Sequence, residues 1–179
     1  SVYPLAGYVL HRDPEVLKVQ RRMARAFNLS VMWGTAGNLD GRSLSIARDA
    51  NVPAIYCEYL GSATCSEDGA TQYFDGCLNV MGELGLLDRD EPDPRVEHVI
   101  EDPEPGSGHM QVCNPSPVTG YFEPAVELGR RVKVGEKLGT VFELETLAAH
   151  DIAADRDGLV LVLRTFPRVH KDESVGVVA

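Results

Sequence analysis

A short pattern occurs twice near the end of the chain, and it restricts the fold more than any other feature. RVKVGEKLGTV, Arg131 to Val141, aligns at a constant offset with RVHKDESVGVV, Arg168 to Val178. Arg, Val, Glu, Gly and Val coincide, and a Leu/Val pair is conservative. Upstream of each copy stands a strand entered through a glycine turn, VTGYFEPAV and then RDGLVLVLR. The runs are short, β-prone and broken by glycine, with no helical period. Two such units each leave an apolar face open, and packing one face on the other closes both. The pattern predicts a small closed or sandwiched β domain with pseudo-twofold symmetry over residues 109–179.

The first half follows a different rule. YPLAGYVLHR reads as an extended run, and DPEVLKVQRRMARAFNLS reads as an amphipathic helix. In that helix Asp13 is the N-cap and Pro14 a first-turn residue, and Val16, Val19, Met23, Ala26 and Phe27 recur at helical spacing. VMWG is a short strand, TAGNLDG a loop and RSLSIARDAN a second helix. VPAIYCEYL reads as a buried strand from its continuous apolar character. SEDGATQYFDGCLNVMGELGLL is a third helix, interrupted by Gly69, Gly76 and Gly82. Strands alternating with helices predict an α/β domain, a parallel or mixed sheet with flanking helices, over residues 1–88. The acidic, proline-rich stretch DRDEPDPRVEHVIEDPEPGSG reads as a linker over residues 89–108.

Charge and composition exclude several classes. A net charge of −10 argues against nucleic acid as a partner, because phosphate binding needs clustered Lys and Arg. The one basic cluster, Lys18 to Arg25, alternates with apolar residues as a solvated helix face does. No apolar run approaches the roughly 20 residues of a membrane span, and no secretory signal is visible. Cys57, Cys65, Cys77 and Cys113 lack CxxC spacing, which fits reduced thiols in a cytoplasmic protein rather than a zinc knuckle. The chain opens on Ser1, which implies a processed or partial product.

NVPAIYCEYLG, Asn51 to Gly61, carries the chemistry. An apolar strand ends in Glu58, followed by a tyrosine and a glycine turn. Burying an unpaired carboxylate is costly. Glu58 is therefore either a wet strand end bonded to nearby amides or a placed functional group.

The duplicated β pattern resembles the barrel-sandwich hybrid of lipoyl and biotinyl modules. The segment LETLAAHDIAADRDG between its halves has no lysine, which disfavours a cofactor carrier. The combination of the α/β half ending in VPAIYCEYLG with the SPVTGYFEPAVELGRRVKVGEKLG barrel resembles the carboxyl-terminal portion of the succinylglutamate desuccinylase and aspartoacylase family, a branch of the zinc carboxypeptidase clan. The resemblance implies a partial zinc-carboxypeptidase-like sheet joined to a barrel-sandwich domain. It implies a hydrolase, a zinc-dependent amidohydrolase that deacylates a small N-acyl amino acid: N-succinylglutamate, N-acetylaspartate or an N-acetyl diamino acid.

Within that resemblance Glu58 matches the general base and acid, which takes a proton from a water and hands it to the leaving nitrogen. The sequence after it, EYLGSATCSEDG, is less glycine-rich than the family pattern. Tyr59, Ser62 and Thr64 are the substrate-binding candidates there. The family's zinc ligands are a His-x-x-Glu pair and a later histidine, all upstream of the catalytic glutamate. Only His11 precedes Glu58, so the resemblance implies zinc for the full-length enzyme with no metal ligand in this chain. HVIE, His98 to Glu101, has ligand spacing, with His109 beyond, but in the wrong order. His150 and His170 are read as turn residues of the barrel. The alternative is a non-catalytic truncated relative, an assembly module. Losing early strands would expose a sheet edge and apolar helix faces, which implies either more chain in the native protein or self-association as a homo-oligomer.

Overall fold

The computed structural model describes residues 1–179, which divide into two units: Pro4–Gly108, and His109–Ala179 together with Ser1–Tyr3.

The first unit is α/β, with the element order β1 (Val2–Val9), α1 (Pro14–Phe27), β2 (Val31–Thr35), α2 (Ser43–Asp49), β3 (Tyr56–Leu60), α3 (Glu67–Glu83) and β4 (His98–Asp102). The sheet runs β3–β1–β2–β4. β1 and β2 are parallel, pairing Leu5 with Val31 through Val9 with Thr35. β2 and β4 are also parallel, from Val31 with His98 to Thr35 with Asp102.

The start of α1 is set by Asp13, whose side chain accepts from the Glu15 amide at 2.9 Å, with Pro14 in the first turn. Its end is set by Asn28, which adopts the left-handed conformation at φ 67°. The same side chain clamps the returning chain, donating to Asp93 O at 2.8 Å and accepting from Arg95 N at 2.8 Å.

α1 and α3 cover one face of the sheet. Ala6, Tyr8, Met32, Ala24, Phe27 and Leu29 form the buried core there, and Ile55, Cys57 and Tyr59 of the β3 segment pack against it. The helix glycines have a packing reason. A Cβ on Gly76 would lie 2.7 Å from the ring of Phe27, so α3 needs glycine where α1 presses an aromatic ring into it.

The stretch read as a linker, 89–108, contains strand β4. Its prolines, Pro92, Pro94, Pro103 and Pro105, flank the strand and leave His98 to Asp102 free to donate to β2. Val99 stays exposed, as suits an edge strand. The strand in VPAIYCEYL is also shorter than its apolar run suggests. Only Tyr56–Leu60 is regular, and Tyr56 to Tyr59 are half-buried because the strand pairs with β1 alone.

The second unit is antiparallel β: β5 (Gly120–Pro124), β6 (Arg131–Val132), β7 (Lys137–Glu143), β8 (Ala149–Ala153), β9 (Gly158–Leu163), β10 (Arg168–Val169) and β11 (Gly176–Val178). One sheet runs β10–β5–β7–β8, and β9 pairs with β6 and β11. Ser1–Tyr3 belong to this unit because Val2 pairs with Val162 and the Ser1 amino group donates to Leu163 O at 2.7 Å. Phe122, Leu138, Val141, Val160, Val169 and Val178 lie in one shared core.

The sequence repeat is realised as a reciprocal exchange. Arg131 and Val132 of the first copy pair with Leu159 and Gly158, beside the second copy. Arg168 and Val169 of the second copy pair with Tyr121 and Gly120, beside the first. The turns correspond too. Gly135 N donates to Ala154 O at 2.8 Å, and Asp172 N donates to Ser116 O at 2.8 Å. Gly135 and Asp172 both take positive φ, 82° and 67°. His150, expected in a turn, lies within β8 opposite Val141.

Candidate active-site face around Glu58

Strand alternation places the functional groups. Ile55, Cys57 and Tyr59 point toward α1 and α3, so Tyr56 and Glu58 point to the other face of the sheet. The neighbouring strand confirms this. A Cβ built on Gly7 of β1 would lie 2.0 Å from Cε1 of Tyr56, so the Tyr56 ring rests on the bare backbone of β1.

Glu58 is half-buried. Burial raises its carboxyl above the ordinary value of 4.5, and no donor or cation offsets that by stabilising the ionised form. Tyr56 is perturbed as well. Burial first, then the charge of Glu58, raises its phenol, while the guanidinium of Arg42 pulls the other way. Arg42 stands just before α2, where its amide donates to Ser45 Oγ at 2.9 Å and its Nη1 to Gly108 O at 3.2 Å. Glu58 and Arg42 thus act on Tyr56 with opposite sign. A raised carboxyl pKa brings a glutamate closer to the range useful for proton transfer at neutral pH.

A thiol nucleophile does not fit. Cys57 faces the helices, and burial, followed by Cys77 and Glu58, pushes its thiol up to about 12.

The turn after Glu58 is unusual. Leu60, Gly61, Ser62 and Ala63 all take positive φ, at 52°, 96°, 65° and 58°. Three of the four are not glycine, and such backbone is costly unless its surroundings hold it. The Thr64 hydroxyl holds it by donating to Gly61 O at 2.6 Å.

The other candidates after Glu58 lie apart from its carboxyl. Tyr59 sits on the helix side, its hydroxyl donating to Asp68 Oδ2 at 2.5 Å and accepting from Gln72 Nε2 at 3.2 Å. Its ring meets Tyr73 edge to face at 6.5 Å. With Leu60, Cys65, Ser66 and Tyr73 it lines a cavity of about 290 Å³. Thr64, though part of the turn, lines the same cavity as Tyr59, whereas Ser62 belongs to the turn alone. The strand therefore separates Tyr59 from the face that carries the Glu58 carboxyl.

The histidines do not assemble a metal centre. His11 is buried with both ring nitrogens engaged: Nδ1 accepts from Asp13 N at 2.9 Å, and Nε2 faces Arg48 O at 3.1 Å. His98 and Glu101 lie three apart in β4, an odd separation that turns them to opposite faces. Glu101 is already held by Arg21 and Tyr8. His109 and His150 each keep a buried ring nitrogen without a partner, while the His170 amide donates to Glu173 Oε2 at 3.0 Å. No three His, Cys, Asp or Glu side chains converge, so these residues do not fit a zinc ion.

No family model and no curated protein matches the chain. Solved structures do. A succinylglutamate desuccinylase/aspartoacylase from Rhodobacter sphaeroides superposes with a TM-score of 0.82 at 21% identity, over 99% of this chain and 53% of its own. The product-bound ectoine utilization protein EutE (DoeB) from Ruegeria pomeroyi gives 0.86 at 20%, over 99% and 53%. An aspartoacylase family protein from Mesorhizobium loti gives 0.74 at 23%, over 99% and 52%. The chain has the desuccinylase/aspartoacylase fold. It spans about half the length of these structures, consistent with a carboxyl-terminal portion. The resemblance read from the sequence is met at the level of fold. Tyr56 and Arg42 went unremarked in the sequence, because the contact that seats Tyr56 is with Gly7 on a strand 49 positions earlier.

Proposed function

We propose that this chain supplies the proton-transfer glutamate and the β domain of a hydrolase that deacylates a small N-acyl amino acid, on a zinc-carboxypeptidase-like sheet. Glu58 takes a proton from the attacking water and returns it to the departing amide nitrogen. The observation that carries this reading is the half-buried Glu58 carboxyl whose pKa burial raises and no partner lowers. Zinc, which the resemblance implies, has no ligand set among these 179 residues, so the role assigned to this chain is the proton transfer alone.

The mismatch with zinc also favours a second reading, a non-catalytic assembly module. Phe74 and Met81, exposed on α3 at 67% and 40%, fit self-association under either reading. Four free cysteines fit a reducing, cytoplasmic setting. No helix is long and apolar enough to cross a membrane.

The protein is assayed with added zinc against N-acetyl-L-aspartate, N-succinyl-L-glutamate and an N-acetyl diamino acid. Turnover that falls about 10²–10⁴-fold in Glu58→Gln supports the hydrolase. Equal rates for wild type and Glu58→Gln remove Glu58 from the chemistry, and a stable fold with no zinc and no turnover supports the module.

A further inference from the structure

We propose that the cavity between the carboxyl-terminal ends of α1 and α3 binds a free amino acid with a basic side chain, Arg25 and Asn79 taking its carboxylate and Asp90 and Glu91 its two ammonium groups. The inference is independent of the hydrolase reading. The cavity is built from the helices on one side of the sheet, and Glu58 points to the other side.

Two contacts set α1 and α3 antiparallel. The ring of Phe27 occupies the place of a Cβ on Gly76, and five residues earlier Arg22 donates through Nε to the Glu83 carboxylate at 2.5 Å and through Nη2 to Glu83 O at 3.3 Å. Between these contacts Arg25 stands one turn beyond Arg22 on the same face of α1, and Asn79 stands across from it on α3. The returning segment closes the space with Pro92 and Pro94, held in place by the bonds from Asn28 to Asp93 and Arg95. The enclosed volume is about 330 Å³. That is the small end of the roughly 300–1,000 Å³ found for small-molecule sites, and it suits a single amino acid.

The polar groups of the lining divide into spent and unspent. Arg22 is neutralised by Glu83, and Arg89 is engaged by Asn79 Oδ1 at 2.6 Å and by Asp75 at 2.9 Å. Asn79 itself is only 6% exposed, yet its Nδ2 has no partner and is not sealed from the cavity. A buried donor left open is costly, so this one marks a place for an acceptor. Arg25, Asp90 and Glu91 line the same cavity and make no hydrogen bond or ion pair. What stays open is one guanidinium and one amide donor against two carboxylates. A carboxylate accompanied by two ammonium groups, as in lysine or ornithine, answers that set group for group, whereas a simple anion is repelled by Asp90 and Glu91. Both helices also end here, and the negative ends of their dipoles favour the ammonium groups.

Binding to the full chain is measured by calorimetry with L-lysine, L-lysinamide and L-glutamate. L-lysine is expected to bind, L-lysinamide, which lacks the carboxylate, to bind about tenfold more weakly, and L-glutamate to give no heat. Arg25→Gln is expected to weaken L-lysine about tenfold and to abolish its advantage over L-lysinamide. Asn79→Asp keeps the acceptor for Arg89 and removes the donor, and is expected to weaken L-lysine further. The exposed pair Asp90→Asn with Glu91→Gln should weaken L-lysine and L-lysinamide alike. Melting curves report whether Asn79→Asp keeps the fold; if it does not, the variants at the exposed Arg25, Asp90 and Glu91 decide the matter alone. No heat from millimolar L-lysine, equal affinity for L-lysine and L-lysinamide in the wild type, tighter binding of L-glutamate, or unchanged affinity in Arg25→Gln each overturns the proposal.

Discussion

Tyr56 and Gly7 are complementary in shape: the ring fills the space where a Cβ on Gly7 would lie, 2.0 Å from Cε1 and 2.2 Å from Cζ. Gly7→Ala therefore overpacks a buried position and is expected to cost about 1–3 kcal/mol. Thermal unfolding of Gly7→Ala in wild-type and Tyr56→Ala backgrounds checks the cause. The penalty should shrink when the ring is gone; strictly additive losses would place the clash elsewhere.

Glu58 should make stability and activity respond to pH in opposite senses. Its folded-state pKa lies above 4.5, so protonation is favoured by folding. That contribution is fully present below the unfolded value and is lost as pH rises through the folded value. Glu58→Gln, neutral throughout, is expected to melt higher than wild type at pH 7, by on the order of 1 °C because the side chain is still partly solvated. The gap should close toward pH 4. Turnover should instead rise with pH through the same titration, with an acid limb above the ordinary glutamate range. A melting difference that grows on acidification would contradict the burial that underlies the site.

Periodicity made the elements legible, and pairing kept the rest hidden. The spacing of Val16 and Phe27 and the Asp13-Pro14 start define α1, which the structure places at Pro14–Phe27. The repeated Arg-Val and Glu positions implied a pseudo-twofold, and the exchange of β6 and β10 supplies it. β4 was obscured because its prolines read as a break, whereas a strand tolerates prolines beside it. The face of Glu58 follows from alternation once the strand is known. The company it keeps does not, because Gly7 meets Tyr56 through a tertiary contact with no local signature.

Tyr8, Glu101 and Arg21 form a second carboxylate network on the helix side, where every partner is satisfied. The buried Tyr8 hydroxyl donates to Glu101 Oε1 at 2.7 Å, and Arg21 grips both oxygens through Nε and Nη2, each at 2.7 Å. The Arg21 guanidinium, aided by the Tyr8 hydroxyl, holds the Glu101 carboxyl below its ordinary value despite an opposing effect of burial. This contribution is present above the unfolded pKa and is lost as pH falls through the folded value. Tyr8→Phe is expected to cost about 1–2 kcal/mol at pH 7, measured by urea denaturation. Glu101→Gln should flatten the acid-side loss of stability. An unchanged acid dependence in Glu101→Gln would show that other carboxylates govern it.

The pseudo-twofold of the β unit makes a paired prediction at Glu136 and Glu173. Glu136 Oε2 accepts from the Lys133 amide at 3.1 Å, and Glu173 Oε2 accepts from the His170 amide at 3.0 Å. Each carboxylate also meets an arginine, Arg130 or Arg164. The two turns use one device to hold a left-handed residue, Gly135 in one and Asp172 in the other. Replacing either glutamate by alanine removes the acceptor and frees one amide, so hydrogen exchange at Lys133 or His170 should accelerate by roughly tenfold at the mutated turn. Asp172 adds a difference, because a non-glycine residue at positive φ is strained there. Glu173→Ala should therefore loosen its turn further than Glu136→Ala, and Asp172→Gly should recover part of the loss. Equal exchange in both variants, with no recovery from Asp172→Gly, would mean that strand exchange alone fixes the turns.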